Sequence, residues 1–114
     1  MQLIDIAGTI QARLITSAET GHCKFERAFS SDLMSDVLTL NSENLLLITG
    51  LNNLQTIRTA EMAEIKAILF ARNKVPTREM IDLANKEGIA LLVTDKSMFH
   101  ASGLLFQAGL KPVF

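Results

Sequence analysis

Thr49-Gly50, followed closely by Asn52 and Asn53, is the stretch whose residue types are best suited to hold a ligand. The apolar run Leu45-Leu46-Leu47-Ile48 before it reads as a strand, and the amphipathic segment after it as a helix. The polar positions therefore fall at the carboxyl end of a strand, just ahead of a helix. Open α/β sheets place ligands there, and the free amides of a helix's first turn favour an anion. A turn with an N-cap uses the same residues without any ligand. Asp32, Ser35 and Asp36 are candidates for the same crevice, and the plainer account makes Asp32 a cap and Asp36 a solvated helix residue. Thr94 and Asp95 repeat the pattern after the run Ile89 to Val93, and capping again suffices to explain their types.

Other chemistry finds less to work with. His22 and Cys23 adjoin in a polar stretch and His100 lies far along the chain; neighbours in one loop do not have the usual spacing of zinc ligands. A Cys-His nucleophilic pair also needs an orienting third group. Cys23 is the single cysteine, so an internal disulfide is impossible and an iron-sulfur cluster, which takes four protein ligands, cannot be held by one chain. A phosphate loop needs Gly, four residues, then Gly-Lys-Ser/Thr; Gly109 follows Gly103 one residue too late, and Lys111 precedes Pro112. No residue set amounts to a catalytic centre, so the expectation is a non-enzyme with no cofactor and no metal.

The elements that must position these residues follow from periodicity. Leu3, Ile6, Ala7 and Ile10 have the spacing of a short helix lying on a core, and Ala12 to Ile15 reads as a short strand. Ser17 to Lys24 is polar and reads as a loop. Phe25 to Phe29 alternates with a period of two, which suits an antiparallel or edge strand. Ser31 or Asp32 is then placed to cap a helix carrying Leu33, Val37 and Leu40, which Asn41 to Asn44 ends.

The central helix runs from about Asn53 to Ile65, capped by Asn52 or Asn53, with Leu54, Ile57, Ala60, Ala63 and Ile65 inward and Arg58, Glu61 and Glu64 outward. Ala67 to Phe70 is a second apolar strand. Pro76 and Thr77 open a helix bearing Met80, Ile81, Leu83 and Ala84, and Gly88 stands where a left-handed C-terminal residue belongs. After the Ile89 to Val93 strand, a last helix runs through Phe99, Leu105 and Phe106 to Gly109. Gly103 inside that helix predicts close packing on a strand, and Pro112 is expected to end the ordered chain.

Apolar runs without alternation belong to strands covered on both faces, and strands alternating with helices predict right-handed crossovers. The expected fold class is α/β, a single-domain layered fold with a mixed, largely parallel central sheet flanked by helices, the mixing coming from an antiparallel pair in the N-terminal third. A chain of 114 residues with 48% hydrophobic content is one domain by length, 1–114, and buries roughly two thirds of its unfolded surface. Net charge is −1 with no block of like charge, Trp and Tyr are absent and the six Phe are scattered, which argues against nucleic acid as a partner. The apolar runs fall far short of the roughly 18–20 residues of a membrane helix, and no basic segment precedes a long apolar one near the N-terminus. The expected location is cytoplasmic, with no membrane partner.

At Ser31-Asp32-Leu33-Met34-Ser35-Asp36-Val37, at Leu46-Leu47-Ile48-Thr49-Gly50 and at Gly88-Ile89-Ala90-Leu91-Leu92-Val93-Thr94-Asp95, the chain resembles the DRTGG domain family. The resemblance spans nearly the whole chain, and the first of the three segments is its most specific part. It is similar in particular to small free-standing members of anaerobic bacteria, often encoded beside iron-only hydrogenase subunits. The resemblance implies a fold like that of the N-terminal domain of HPr kinase/phosphorylase, which lacks the kinase active site. It also implies a regulatory role, as in members beside CBS modules of regulated pyrophosphatases. The chain departs from the family pattern in two places: Thr49-Gly50-Leu51-Asn52 stands for Thr-Gly-Asp-Arg, and Ala71-Arg72-Asn73 for Thr-Gly-Gly. The expectation is a regulatory or ligand-sensing module that binds a small anionic ligand at the strand ends and works as a homodimer. The alternative is an interaction or assembly factor for a redox complex such as an iron-only hydrogenase.

Overall fold

Leu45–Thr49, Ala67–Phe70 and Ala90–Val93 are buried at every position, which is why the sequence shows no polar alternation there. In the computed structural model, which describes residues 1–16 and 23–114, they form the centre of a six-stranded sheet. In chain order the described elements are α1 (Leu3–Ile10), β1 (Arg13–Leu14), β2 (Arg27–Ser30), α2 (Met34–Val37), β3 (Leu45–Thr49), α3 (Leu54–Met62), β4 (Ala67–Phe70), α4 (Arg78–Glu87), β5 (Ala90–Val93), α5 (Met98–Ala108) and β6 (Lys111–Pro112). The strand order is β1-β5-β4-β3-β2-β6. Strands β2 to β5 pair in parallel with their sequence neighbours, β6 is parallel to β2, and β1 is antiparallel to β5.

Because successive side chains of a strand point to opposite faces, each central strand feeds two cores. Leu45, Leu47, Ile68, Phe70, Leu91 and Val93 pack with Val37 of α2, Ile57 and Ala60 of α3, and Met80 and Ala84 of α4. Leu46, Ile48, Ala67, Leu69, Ala90 and Leu92 pack on the other face with Leu3, Ile6 and Ile10 of α1 and Ala101 and Leu105 of α5. Three right-handed crossovers stepping in one direction put α2, α3 and α4 on one side. The return step from β5 to β6 puts α5 on the other. The result is a three-layer α/β/α fold, mixed and mostly parallel.

Helix ends are fixed where local chemistry predicts. Asn53, Thr77 and Ser97 accept from the backbone amides of Thr56, Met80 and His100, and Gly88 and Gly109 close α4 and α5 in the left-handed region at φ 70° and 117°.

Other expectations are corrected. The β2 strand is neither antiparallel nor at the edge: it lies between β3 and β6, parallel to both, and the antiparallel pair is β1 with β5, because the short β1 returns against the far side of the sheet. Helix α2 is a single turn whose N-cap is Leu33, not Ser31 or Asp32; Ser31 Oγ accepts from the Leu33 amide instead. Helix α3 stops at Met62, since Glu64 turns left-handed at φ 58°. Pro112 does not end the ordered chain: its carbonyl accepts from Arg27 Nη1 at 2.9 Å within the last strand. Nor is Gly103 packed on a strand; a Cβ built there meets nothing within 4 Å. The expected loop from Ser17 to Lys24 lies largely outside the described residues, as does His22.

Candidate functional site

The candidate residues divide into two clusters along the carboxyl ends of the parallel strands. At the end of β3, the Asp32 carboxylate accepts from Thr49 Oγ1 at 2.9 Å and from the Gly50 amide at 2.7 Å, both through Oδ1. Thr49, fully buried, also accepts from the Leu51 amide at 3.1 Å. The Gly50 amide is therefore already bonded to a carboxylate of the same chain. Asn53 caps α3, with its Oδ1 3.1 Å from the Thr56 amide. Asn52 ties the loop to the next crossover by donating from Nδ2 to the Val75 carbonyl at 2.8 Å, while its Oδ1 is buried without a donor. Ser35 and Asp36 are exposed on the single turn of α2.

Thr94 and Asp95 belong to the second cluster, at the ends of β4 and β5. Thr94 is 1% exposed and donates to the Ile10 carbonyl at 3.0 Å, which joins the end of β5 to the end of α1. The β4–α4 loop leans on the β5–α5 loop: the Arg72 amide donates to the Lys96 carbonyl at 2.8 Å and the Asn73 amide to the Thr94 carbonyl at 2.7 Å. This is where successive crossovers leave for opposite faces, α4 to one and α5 to the other, and such a switch point opens a crevice in parallel sheets.

Four cationic residues lie on the three segments that meet here. Arg13 sits opposite Val93 in the β1–β5 ladder and donates from Nη2 to Asn73 Oδ1 at 3.1 Å. Arg72 and Lys74 are exposed on the β4–α4 loop. The side chain of Lys96 is only 14% exposed, and its Nζ is held 3.1 Å from Gln11 Oε1 and 3.6 Å from Asp95, the acidic member of the group. On a chain of net charge −1, this is a local excess of positive charge.

Arg72 and Asn73 both take the left-handed conformation, at φ 56° and 57°. That region is cheap for glycine and costs other residues about 1 kcal/mol or more each. The backbone here therefore has a shape suited to glycine, with an arginine and an asparagine on it. Sequence inspection missed Arg13, Arg72, Asn73, Lys74 and Lys96 as a site, because they form no charge run; the one signal was that Ala71-Arg72-Asn73 departs from the Thr-Gly-Gly that the resemblance implies.

His22 lies outside the described residues, so the His22-Cys23 pair cannot be assembled. Cys23 is half-buried and packs against the core cluster under α1, and His100 is exposed on α5. Among the described residues no group of three or more His, Cys, Asp or Glu is arranged to hold a metal ion, and no helix is long and apolar enough to cross a membrane.

No family model matches the chain, and no curated protein matches it in sequence. Among solved structures it is similar to the CBS and DRTGG domains of the regulatory region of Clostridium perfringens pyrophosphatase, complexed with its activator diadenosine tetraphosphate. The TM-score is 0.77 at 20% sequence identity, covering 96% of this chain and 47% of that one. Likeness at this identity is a likeness of fold: the chain is an α/β domain of DRTGG-like architecture.

Proposed function

We propose that residues 1–114 form a single DRTGG-like regulatory module, without catalytic activity, that senses a small anionic ligand carrying phosphate groups. The observation that carries this reading is the meeting of Arg13, Arg72, Lys74 and Lys96 at the switch point between β4 and β5. Arginine offers a planar fork to phosphate oxygens and lysine a point charge, and both are provided on loops held by a rigid sheet. Asn73 orients Arg13, and Gln11 with Asp95 orients Lys96, so two of the four cations are fixed in place before a ligand arrives. The pyrophosphatase region of similar fold is described as regulatory and bound to a dinucleoside polyphosphate, which favours the same ligand class. Thr49, Gly50 and Asp32 serve in this reading as a structural tie, because an incoming anion would meet the Asp32 carboxylate there.

Thermal shift and calorimetric titration with inorganic phosphate, AMP, ATP and diadenosine tetraphosphate test the reading. A ligand that binds the folded chain raises the melting temperature by mass action. The effect is expected to weaken with added salt and to be lost in the double variant Arg13→Ala/Arg72→Ala. If none of these compounds stabilises the protein, or if the double variant responds as fully as the parent, the reading fails. The structural neighbour, a regulatory region, gives no support to the alternative of an assembly factor for a redox complex.

A further inference from the structure

Four of the six phenylalanines, scattered in sequence, come together far from the cationic loops. Phe99 and Phe106 on α5 and Phe114 after β6 are 89%, 65% and 89% exposed, and with the half-buried Phe29 they surround a groove of about 470 Å³. We propose that this groove is where a second copy of the chain docks, each copy placing its Phe114 ring in the other's groove about a two-fold axis.

Three features argue for that occupant. The first is area. A phenylalanine buries roughly 150–250 Å², so the three exposed rings offer about 400–600 Å² per copy, at the upper end of what a free monomer leaves bare. Doubled by a two-fold axis and extended by Val113 and Pro112, the same patch comes to about the 1,000 Å² that a specific interface needs.

The second is shape. A two-fold contact requires projection and depression on one surface. Here Phe114 projects with its ring held edge-on to Phe29, the centroids 6.1 Å apart, while Gly103 leaves a gap on α5 that no side chain fills.

The third is chemistry. Lys111 is the charged residue in the lining, and the Ser30 and Ser102 hydroxyls are 2.7 Å apart and satisfy each other, so covering the groove strands little polar chemistry. Sheet extension is a poor competitor, because the β6 edge is two residues long and contains Pro112. The proposal does not depend on the anion site.

Sedimentation equilibrium of the full chain over a concentration series tests it. The expected mass is twice the 12.5 kDa of one chain. Gly103→Glu is the main variant: its side chain enters open space on an exposed helix position, and glutamate is the better helix former, so folding is preserved while a charge enters the groove. It is expected to weaken self-association at least tenfold with an unchanged or raised monomer melting temperature. Phe114→Asp is expected to weaken it to a similar degree. A chain that stays monomeric at every concentration overturns the proposal, as does a dimer that neither substitution weakens. A monomer whose groove is filled instead by an apolar dye or by phospholipid vesicles overturns it too.

Discussion

The ends of β3 and of β4–β5 occupy equivalent places in the fold and have been used in opposite ways. At the end of β3 the chain supplies its own anion: Asp32 takes the Gly50 amide and the Thr49 hydroxyl, and the tie is complete without a ligand. At the ends of β4 and β5 the backbone amides of Arg72 and Asn73 are spent on joining two loops, and what remains outward is positive side-chain charge. A strand end is thus a position of opportunity, and whether it binds anything depends on which groups are left over once the backbone is satisfied.

The comparison is sharpened most by Thr94→Val, which removes the donor to the buried Ile10 carbonyl beneath the open cluster. It is expected to cost roughly 2 kcal/mol, seen as a lower denaturation midpoint at unchanged slope. Asp32→Ala should cost about 1–2 kcal/mol by breaking the tie at β3, while anion affinity measured by calorimetry stays as in the parent; a large affinity loss would move the site to the β3 end. Next comes Arg72→Gly/Asn73→Gly, which introduces residues suited to φ near 57°. Stability should hold or rise by up to about 1 kcal/mol while anion affinity falls about tenfold, a separation that a purely structural loop would not give. The smallest effect belongs to Gly50→Ala. Its new Cβ would sit 3.7 and 3.8 Å from the Asp32 oxygens, ordinary contact, so stability should change by less than about 0.5 kcal/mol.

Much of the fold was legible because its elements follow local rules. Leu45 to Ile48, Ala67 to Phe70 and Ile89 to Val93 announced buried strands by unbroken apolar character, and Thr77, Asn53 and Gly88 announced helix ends by capping chemistry. What escaped was non-local. The β6 strand is two residues long with a proline in it, and only its place beside β2 makes it a strand. Asp32 looked like a helix cap because a cap and a cross-strand tie demand the same short acceptor. Phe25 to Phe29 alternated as an antiparallel strand would, yet its partner was set by the α2 crossover. The cationic group was unreadable because Arg13, Arg72, Lys74 and Lys96 meet only through the β1–β5 ladder and two loop contacts. The phenylalanine groove was hidden likewise, since Phe29 and Phe114 touch across the sheet edge.

The run of neighbouring parallel strands from β2 to β5 lets the sheet grow by short steps, each new strand settling beside the one made just before it. The β6 strand breaks that habit: it must travel back across the whole sheet, and the Arg27 to Pro112 bond spans 85 residues. Helix α5 and the strand after it therefore act as a clasp, closed by a contact as long-range as those that join Ile10 and Gln11 to the β5–α5 loop. Since the aromatic groove is built on that clasp, an incompletely folded chain has no face to offer a second copy, and pairing would select for molecules that have finished folding.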